Sequence, residues 1–365
     1  MAATKPDILI TGASGFIGGR VSEVLCLTGV ATVRAGIHRW TGSGLARLAR
    51  LPVTIVPCDV LDPAQVAEAL AGVDVVIHCV LGDYRTNVEG TRHLLDAARR
   101  QGVARIVFLS SAEVYRARAG TVDETAPCCP ARHNYSGSKT AGEQLCWDAA
   151  AQGLSVTVLR PSIVYGPFSE IWIVRFAQRL LSGQWHTFRG FGDGICNLIY
   201  VDDLVRGIWL AATRDEAIGQ AFNLNGPEIV TWNDFFHRFN AALGQPPLTE
   251  QGAVSALGRA AAMEVARRAL VAVKNHLGEP VKARLLGGPR KTRLGTAAAQ
   301  AQVSVRATPS LQELRHLFSR QAVFDDAKAH RLLGYTPQYD LNQGLALCAA
   351  WLAHHQYLRA FGRVA

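Results

Sequence analysis

Short apolar runs alternate with helix-period stretches along the first half of this chain. Asp7-Ile8-Leu9-Ile10-Thr11 reads as a buried strand, and Val21, Val24, Leu25 and Leu27 after it recur at helical spacing. The same reading places strands at 32–37, 53–56, 103–109, 154–160 and 221–224, with helices over 84–101 and 133–152. Strands alternating with helices predict an α/β fold, a doubly wound, Rossmann-like parallel sheet that binds ligands at the C-terminal edge of its strands. The expected organisation is a dinucleotide-binding domain from 1–165 plus about 201–225. A smaller, discontinuous substrate domain follows, from about 166–200 plus 226–365.

The first strand runs into Gly12-Ala13-Ser14-Gly15-Phe16-Ile17-Gly18-Gly19 and then the first helix. Strand, glycine turn and helix form the context of a dinucleotide turn. Glycines let the backbone approach a pyrophosphate, and the helix N-terminus offers unpaired N–H groups. Gly12, Ser14, Gly15, Phe16, Ile17 and Gly18 are the expected contacts. An acidic residue at the end of the second strand would suit the 2′-hydroxyl of NAD, and basic residues a 2′-phosphate. The chain has His38 and Arg39 there, so NADP is favoured over NAD. Asp59 and Val60 are placed by position to meet the adenine.

Tyr135 and Lys139 are four residues apart, so on a helix they share one face. A free phenol, with a pKa of about 10, is a weak base at neutral pH. A neighbouring ammonium favours the phenolate and prepares the tyrosine for acid/base work.

Taken together, these segments resemble the extended short-chain dehydrogenase/reductase family, of the epimerase/dehydratase type. Thr11–Gly18 resembles its cofactor turn, Val73-Asp74-Val75-Val76-Ile77-His78 its fourth strand, and Asn87-Val88-Glu89-Gly90-Thr91 the helix that follows. Further matches are Phe108-Leu109-Ser110-Ser111-Ala112-Glu113-Val114-Tyr115, Leu159-Arg160-Pro161-Ser162-Ile163-Val164-Tyr165-Gly166-Pro167, Val201-Asp202-Asp203-Leu204 and Leu333-Gly334-Tyr335-Thr336-Pro337. The resemblance implies that Tyr135 exchanges a proton with a substrate oxygen, Lys139 binds the nicotinamide ribose and Ser111 hydrogen-bonds the reacting oxygen. Asn87 would hold the active-site backbone. His78, Ser110, Pro161 and Ile163 would line the cofactor. Glu113 matches the acid that moves a ring proton in members that dehydrate or decarboxylate; a solvated turn residue is the alternative. Helices 84–101 and 133–152 are those the family uses for homodimers.

Two departures bear on the substrate. The segment from His78 to Asn87 is shorter than in sugar-nucleotide members. The approach to Val201, Gly192-Asp193-Gly194-Ile195-Cys196-Asn197-Leu198-Ile199-Tyr200, lacks the arginine those members aim at a pyrophosphate. Arg175, Arg179 and Arg189 are the candidate replacements. The expected activity is an epimerase/dehydratase-type cycle on a sugar-like, anionic small molecule. A ketoreductase or hydroxysteroid-dehydrogenase-like enzyme with a less polar substrate is the alternative, and a dinucleotide-sensing protein without catalysis the third reading.

Composition adds limits. With 365 residues, 49% hydrophobic and 18% charged, the chain suits a folded globular protein. No apolar run reaches the ~18 residues of a membrane span, and Met1–Pro6 shows no signal-peptide core. The eight cysteines form no Cys-x-x-Cys pair, which favours a reducing, cytoplasmic setting. No metal constellation is expected; His354 and His355 are adjacent and diverge on a helix. The net charge is +9, and residues 250–320 hold twelve Lys/Arg against four Glu, a balance of 12 − 4 = +8. This alanine-rich insert predicts a helix from 253 to 274 with Val254, Leu257, Ala261 and Val265 on one side, and a loop-rich stretch from 280 to 309. It reads as a solvated elaboration, with a lid for an anionic substrate or weak peripheral membrane contact behind it. No nucleic-acid module accompanies the charge.

Overall fold

A computed structural model describes residues 5–276 and 307–357. The first half runs β1 (Asp7–Thr11), α1 (Phe16–Leu27), β2 (Thr32–Ile37), α2 (Ser43–Leu48), β3 (Thr54–Pro57), α3 (Pro63–Leu70), β4 (Val75–His78), α4 (Tyr84–Gln101), β5 (Arg105–Leu109), β6 (Ala119–Val122), α5 (Tyr135–Ala151) and β7 (Val156–Pro161). It continues through β8 (Ile163–Tyr165), α6 (Arg175–Leu181), β9 (Thr187–Phe188), β10 (Leu198–Tyr200), α7 (Val201–Thr213), β11 (Ala221–Leu224), α8 (Trp232–Ala242), β12 (Glu250–Gln251) and α9 (Ala253–His276). β13 (Gln321–Phe324), α10 (Ala327–Leu333) and α11 (Leu341–His354) follow.

Seven strands form one sheet in the order β11-β7-β5-β4-β1-β2-β3. Every pairing in it is parallel, with Ile8 of β1 opposite Val33 on one side and Val75 on the other. Ile8, Leu9 and Ile10 are fully buried, because helices cover both faces of a parallel sheet. Strand order reverses at β1, between β2 and β4, and the crevice beyond that point is where such sheets bind ligands. Side-chain caps set the helix starts: Asp83 accepts the Thr86 amide at α4, and Asn134 accepts the Gly137 amide at 2.8 Å, so α5 begins at Tyr135.

The chain divides into two compact units. The first joins residues up to Tyr165 with Asn197–Pro227 and Ala322–Tyr339. The last stretch was expected in the substrate domain. It joins the sheet-bearing unit because β13 pairs with β6 and the Asp203 carboxylate accepts the amides of Gln338 and Tyr339 at 2.8 and 3.0 Å. The second unit is built on clustered aromatic rings, with Trp232 and Phe318 centroids 4.8 Å apart. Its helix α9 covers the predicted helix, but the packed face differs. Ala256 and Ala260 are buried, whereas Val254 and Val265 are 88% and 70% exposed. Small side chains allow closer packing than the valines, so they take the inner face. Most of the stretch 280–309 lies outside the described residues. No helix among those described is long and apolar enough to cross a membrane.

Candidate active site

The glycine turn leaves β1 with Gly12 at φ +69°, where a side chain is strained. A Cβ on Gly12 would stand 3.0 Å from the Cys79 carbonyl oxygen, and one on Gly18 only 2.5 Å from that of Gly12. The turn is therefore a cradle that side chains would fill. Gly15 caps α1 without any side-chain hydrogen bond, so the first-turn amides are left for a ligand. These residues fit a dinucleotide pyrophosphate. His38 and Arg39 are exposed after β2. Sequence reasoning missed α2, which packs over the turn: a Cβ on Gly44 would meet the Ser14 carbonyl oxygen at 2.0 Å, and Arg47 Nη2 donates to the Gly15 carbonyl at 3.0 Å. Asp59 accepts the Leu61 amide at 3.0 Å, and Val60 is buried where Gly90 lets α4 approach.

Two expected cofactor contacts have their side chains committed elsewhere. His78 is 2% exposed, with Nδ1 2.7 Å from the Thr11 hydroxyl and Nε2 3.2 Å from that of Thr91. Burial, then the Lys139 charge, pushes its pKa down to about 3, so the ring is neutral. The Ser110 hydroxyl donates to Glu143. Pro161 ends β7 and is buried, and Ile163 opens β8 half-buried.

Tyr135, at the start of α5, is 45% exposed as a residue. Ser111 follows the end of β5 and is 8% exposed; its hydroxyl accepts the Glu113 amide at 3.2 Å and favours the Tyr135 phenolate. Burial of the phenol raises its pKa, Ser111 lowers it, and the charge of Glu113 raises it again. The expected depression of Tyr135 by Lys139 is thus corrected: the phenol stands above its ordinary value. The Lys139 ammonium is turned to backbone instead, donating to the Leu109 carbonyl at 2.9 Å and lying 3.5 Å from that of Val80. Its own pKa is pushed down to about 8 by burial, with the charges of Cys79, Glu143 and Cys146 opposing. Asn87 is buried on α4. Its Oδ1 accepts the Gly82 amide at 2.8 Å and its Nδ2 donates to Ser138 Oγ at 3.0 Å. It holds the segment after β4 against α5.

An exposed apolar side chain and an aromatic stack lie near these groups in the chain. Leu81 is 61% exposed, in the stretch pinned by Asn87 at Gly82 and approached by Lys139 at Val80. Tyr84 stacks on His133, two residues before Tyr135, with centroids 4.0 Å apart. Asn197, within the stretch that lacks the arginine, donates to the Ala322 carbonyl at 2.9 Å. Of the replacement arginines, Arg179 is 8% exposed and paired with Glu313 at 2.7 Å, so it belongs to the core. Arg189 is paired with Glu250 at 2.5 Å, and Arg175 is exposed on α6. Among the described residues no cluster of side chains could hold a metal.

A sequence profile of the NAD dependent epimerase/dehydratase family matches residues 8–225. Among curated proteins the chain is 35% identical to dTDP-glucose 4,6-dehydratase of Streptomyces griseus, over 60% of this chain and 73% of that one. It is 26% identical to 3beta-hydroxysteroid-dehydrogenase/decarboxylase isoform 1 of Arabidopsis thaliana, over 94% of this chain and 78% of that one. The structure of UDP-glucuronic acid 4-epimerase from Bacillus cereus, in complex with UDP-glucuronic acid and NAD, has the same fold. It aligns with a TM-score of 0.70 at 20% identity, over 96% of this chain and 99% of that one. The family description carries NAD, and the leaning toward NADP from His38 and Arg39 has no counterpart in it. With its sheet, glycine turn and Ser111–Tyr135–Lys139 group, this chain belongs to the NAD dependent epimerase/dehydratase family of enzymes.

Proposed function

We propose that the chain works at a secondary alcohol or ketone of a sugar-like, anionic substrate, with two proton-moving groups. The observation that carries this is convergence on one phenol: Ser111, at the end of β5, favours the Tyr135 phenolate, and the Glu113 charge is felt by the same hydroxyl. Bound nicotinamide dinucleotide supplies the hydride acceptor. Ser111 steadies the substrate oxygen, and Tyr135 takes up or returns its proton. Glu113 then exchanges a proton at the neighbouring carbon, which permits epimerisation or dehydration of the transient ketone. Lys139 and the turn from Gly12 to Gly18 hold the cofactor. The nucleotide-sugar names of relatives support this substrate class. Self-association through α4 and α5 belongs to the same reading, and a monomer in sedimentation experiments removes it. A cytoplasmic setting belongs to the same reading.

The test is Tyr135→Phe. Turnover of a nucleotide-sugar panel should fall by at least about a thousandfold, while NADH still quenches or enhances fluorescence on binding. Undiminished turnover ends the proposal.

A second reading, net reduction of a less polar ketone, is favoured by Leu81, by the Tyr84–His133 stack and by a phenol held protonated at neutral pH. The steroid dehydrogenase/decarboxylase relative, aligned over most of the chain, supports it. Cofactor bookkeeping separates the two. The first cycle regenerates its dinucleotide, and the second consumes one per turnover.

A further inference from the structure

Glu143 lies one turn beyond Lys139 and two beyond Tyr135 on α5, and it is 2% exposed. A carboxylate this deep persists only when its oxygens are fully occupied. Arg160 Nε reaches them at 3.0 and 3.2 Å and Arg160 Nη2 at 2.6 Å, and the Ser110 hydroxyl and the Cys128 thiol, the latter at 3.9 Å, donate as well. Arg160 Nη1 also donates to the Tyr115 hydroxyl at 2.7 Å, and that hydroxyl donates to Asn223 Oδ1 at 2.8 Å. One carboxylate thereby joins α5, the end of β5 and β7. Through Arg160 it reaches the turn after Ser111. A buried arginine–glutamate pair is seldom more stable than apolar residues of the same size, so stability alone is a weak reason for it.

We infer that Glu143 is a positioning residue of the site, resting on the reading of Tyr135 and Lys139 given above. Its carboxylate fixes the Ser110–Ser111 backbone against the helix that carries both groups, and its charge keeps the Lys139 side chain an ammonium. The ionisable groups whose charges act on Lys139, or feel it, are His78, Cys79, Cys146 and Glu143. His78 is neutral, the Cys79 thiol is pushed up to about 12 by burial and the Cys146 thiol stands well above its ordinary value. Glu143 is the carboxylate of the group, and its ion pair with Arg160 holds it in place.

The experiment follows NADH binding by fluorescence across about pH 6 to 10, bracketing the Lys139 titration. A Lys139→Met variant identifies the inflection that belongs to Lys139. Glu143→Gln should move that inflection down by about one pH unit, while Glu143→Asp, which keeps the charge, should restore most of it. A merely structural role lowers the melting temperature and leaves the inflection in place; that result overturns the inference. Should Glu143→Gln fail to fold around an unpaired arginine, Glu143→Gln/Arg160→Met removes both charges, and a smaller step in the same direction is expected. Ser110→Ala leaves every charge and cuts only the link to Ser111. It should raise the Tyr135 titration, measured by ultraviolet difference against Tyr135→Phe, and no change there also overturns the inference. If the unmodified protein does not bind NADH, the cofactor reading falls and this one with it. If NADH binds but the inflection ignores Glu143, this one falls alone.

Discussion

The phenol of Tyr135 stands above its ordinary pKa because burial and Glu113 outweigh Ser111. At neutral pH it starts as a donor, and the proposed scheme gives the proton exchange at the neighbouring carbon to Glu113. Glu113→Gln should abolish solvent deuterium incorporation beside the reacting carbon while Tyr135-dependent redox steps persist; exchange at the unmodified rate would remove Glu113 from the scheme. His78 supports a second prediction at this scale. Its pKa falls from 6.5 to about 3 on folding, so between those values the unfolded chain binds the extra proton. The stability this contributes is complete above pH 6.5 and is lost as pH falls toward 3. Between pH 7.5 and 5 the protein should lose about 2 kcal/mol through this residue. Urea unfolding of the protein and of His78→Gln checks it, and an equal pH slope in both would count against it. These two residues also show the limits of reading side chains from spacing. Position brought Glu113 near the phenol, but whether a histidine at the end of a strand faces ligand or core depends on Thr11 and Thr91, far along the chain.

Elements were more legible than the contacts between them. Helix α4 spans the predicted range, and β1 is buried on both faces, because continuous apolar runs and 3.6-residue periods are local signals. The glycine turn was equally plain, since φ +69° at Gly12 and the close approach at Gly18 exclude other residues. By contrast, α2 shows no apolar period, and its packing through Gly44 and Arg47 on the turn is a tertiary fact. On α9 the pattern suggested a valine stripe, yet alanines face inward. For the turn, Gly18→Ala places a methyl 2.5 Å from the Gly12 carbonyl oxygen. The strain, about 1–3 kcal/mol, should appear as a lower melting temperature or weaker NADH binding, measured by thermal unfolding and titration. If neither moves, the turn is more open than described.

At the scale of the whole molecule, the sheet-bearing unit draws on three separate stretches of chain. Sequence pattern carries no direct sign of such long-range closure, which is why it predicts 322–339 in the other domain. The closure depends on few groups: the pairing of β13 with β6, the Tyr335 hydroxyl on the Asn225 carbonyl at 2.8 Å, and Asp203. Asp203→Ala strips two amides of their acceptor and should cost about 2–4 kcal/mol in urea unfolding; a loss within error of zero would show the clasp to be dispensable. The Asp203 clasp also bears on how the protein can be trimmed. A chain cut ahead of Gln338 would keep every residue of the glycine turn and the Ser111–Tyr135–Lys139 group. It would nevertheless leave a carboxylate sealed inside with nothing to bind. Shortened versions ending there should therefore be degraded or insoluble, and a protease nick near Gln338 should release the sheet-bearing unit from its native state before it touches the catalytic helix.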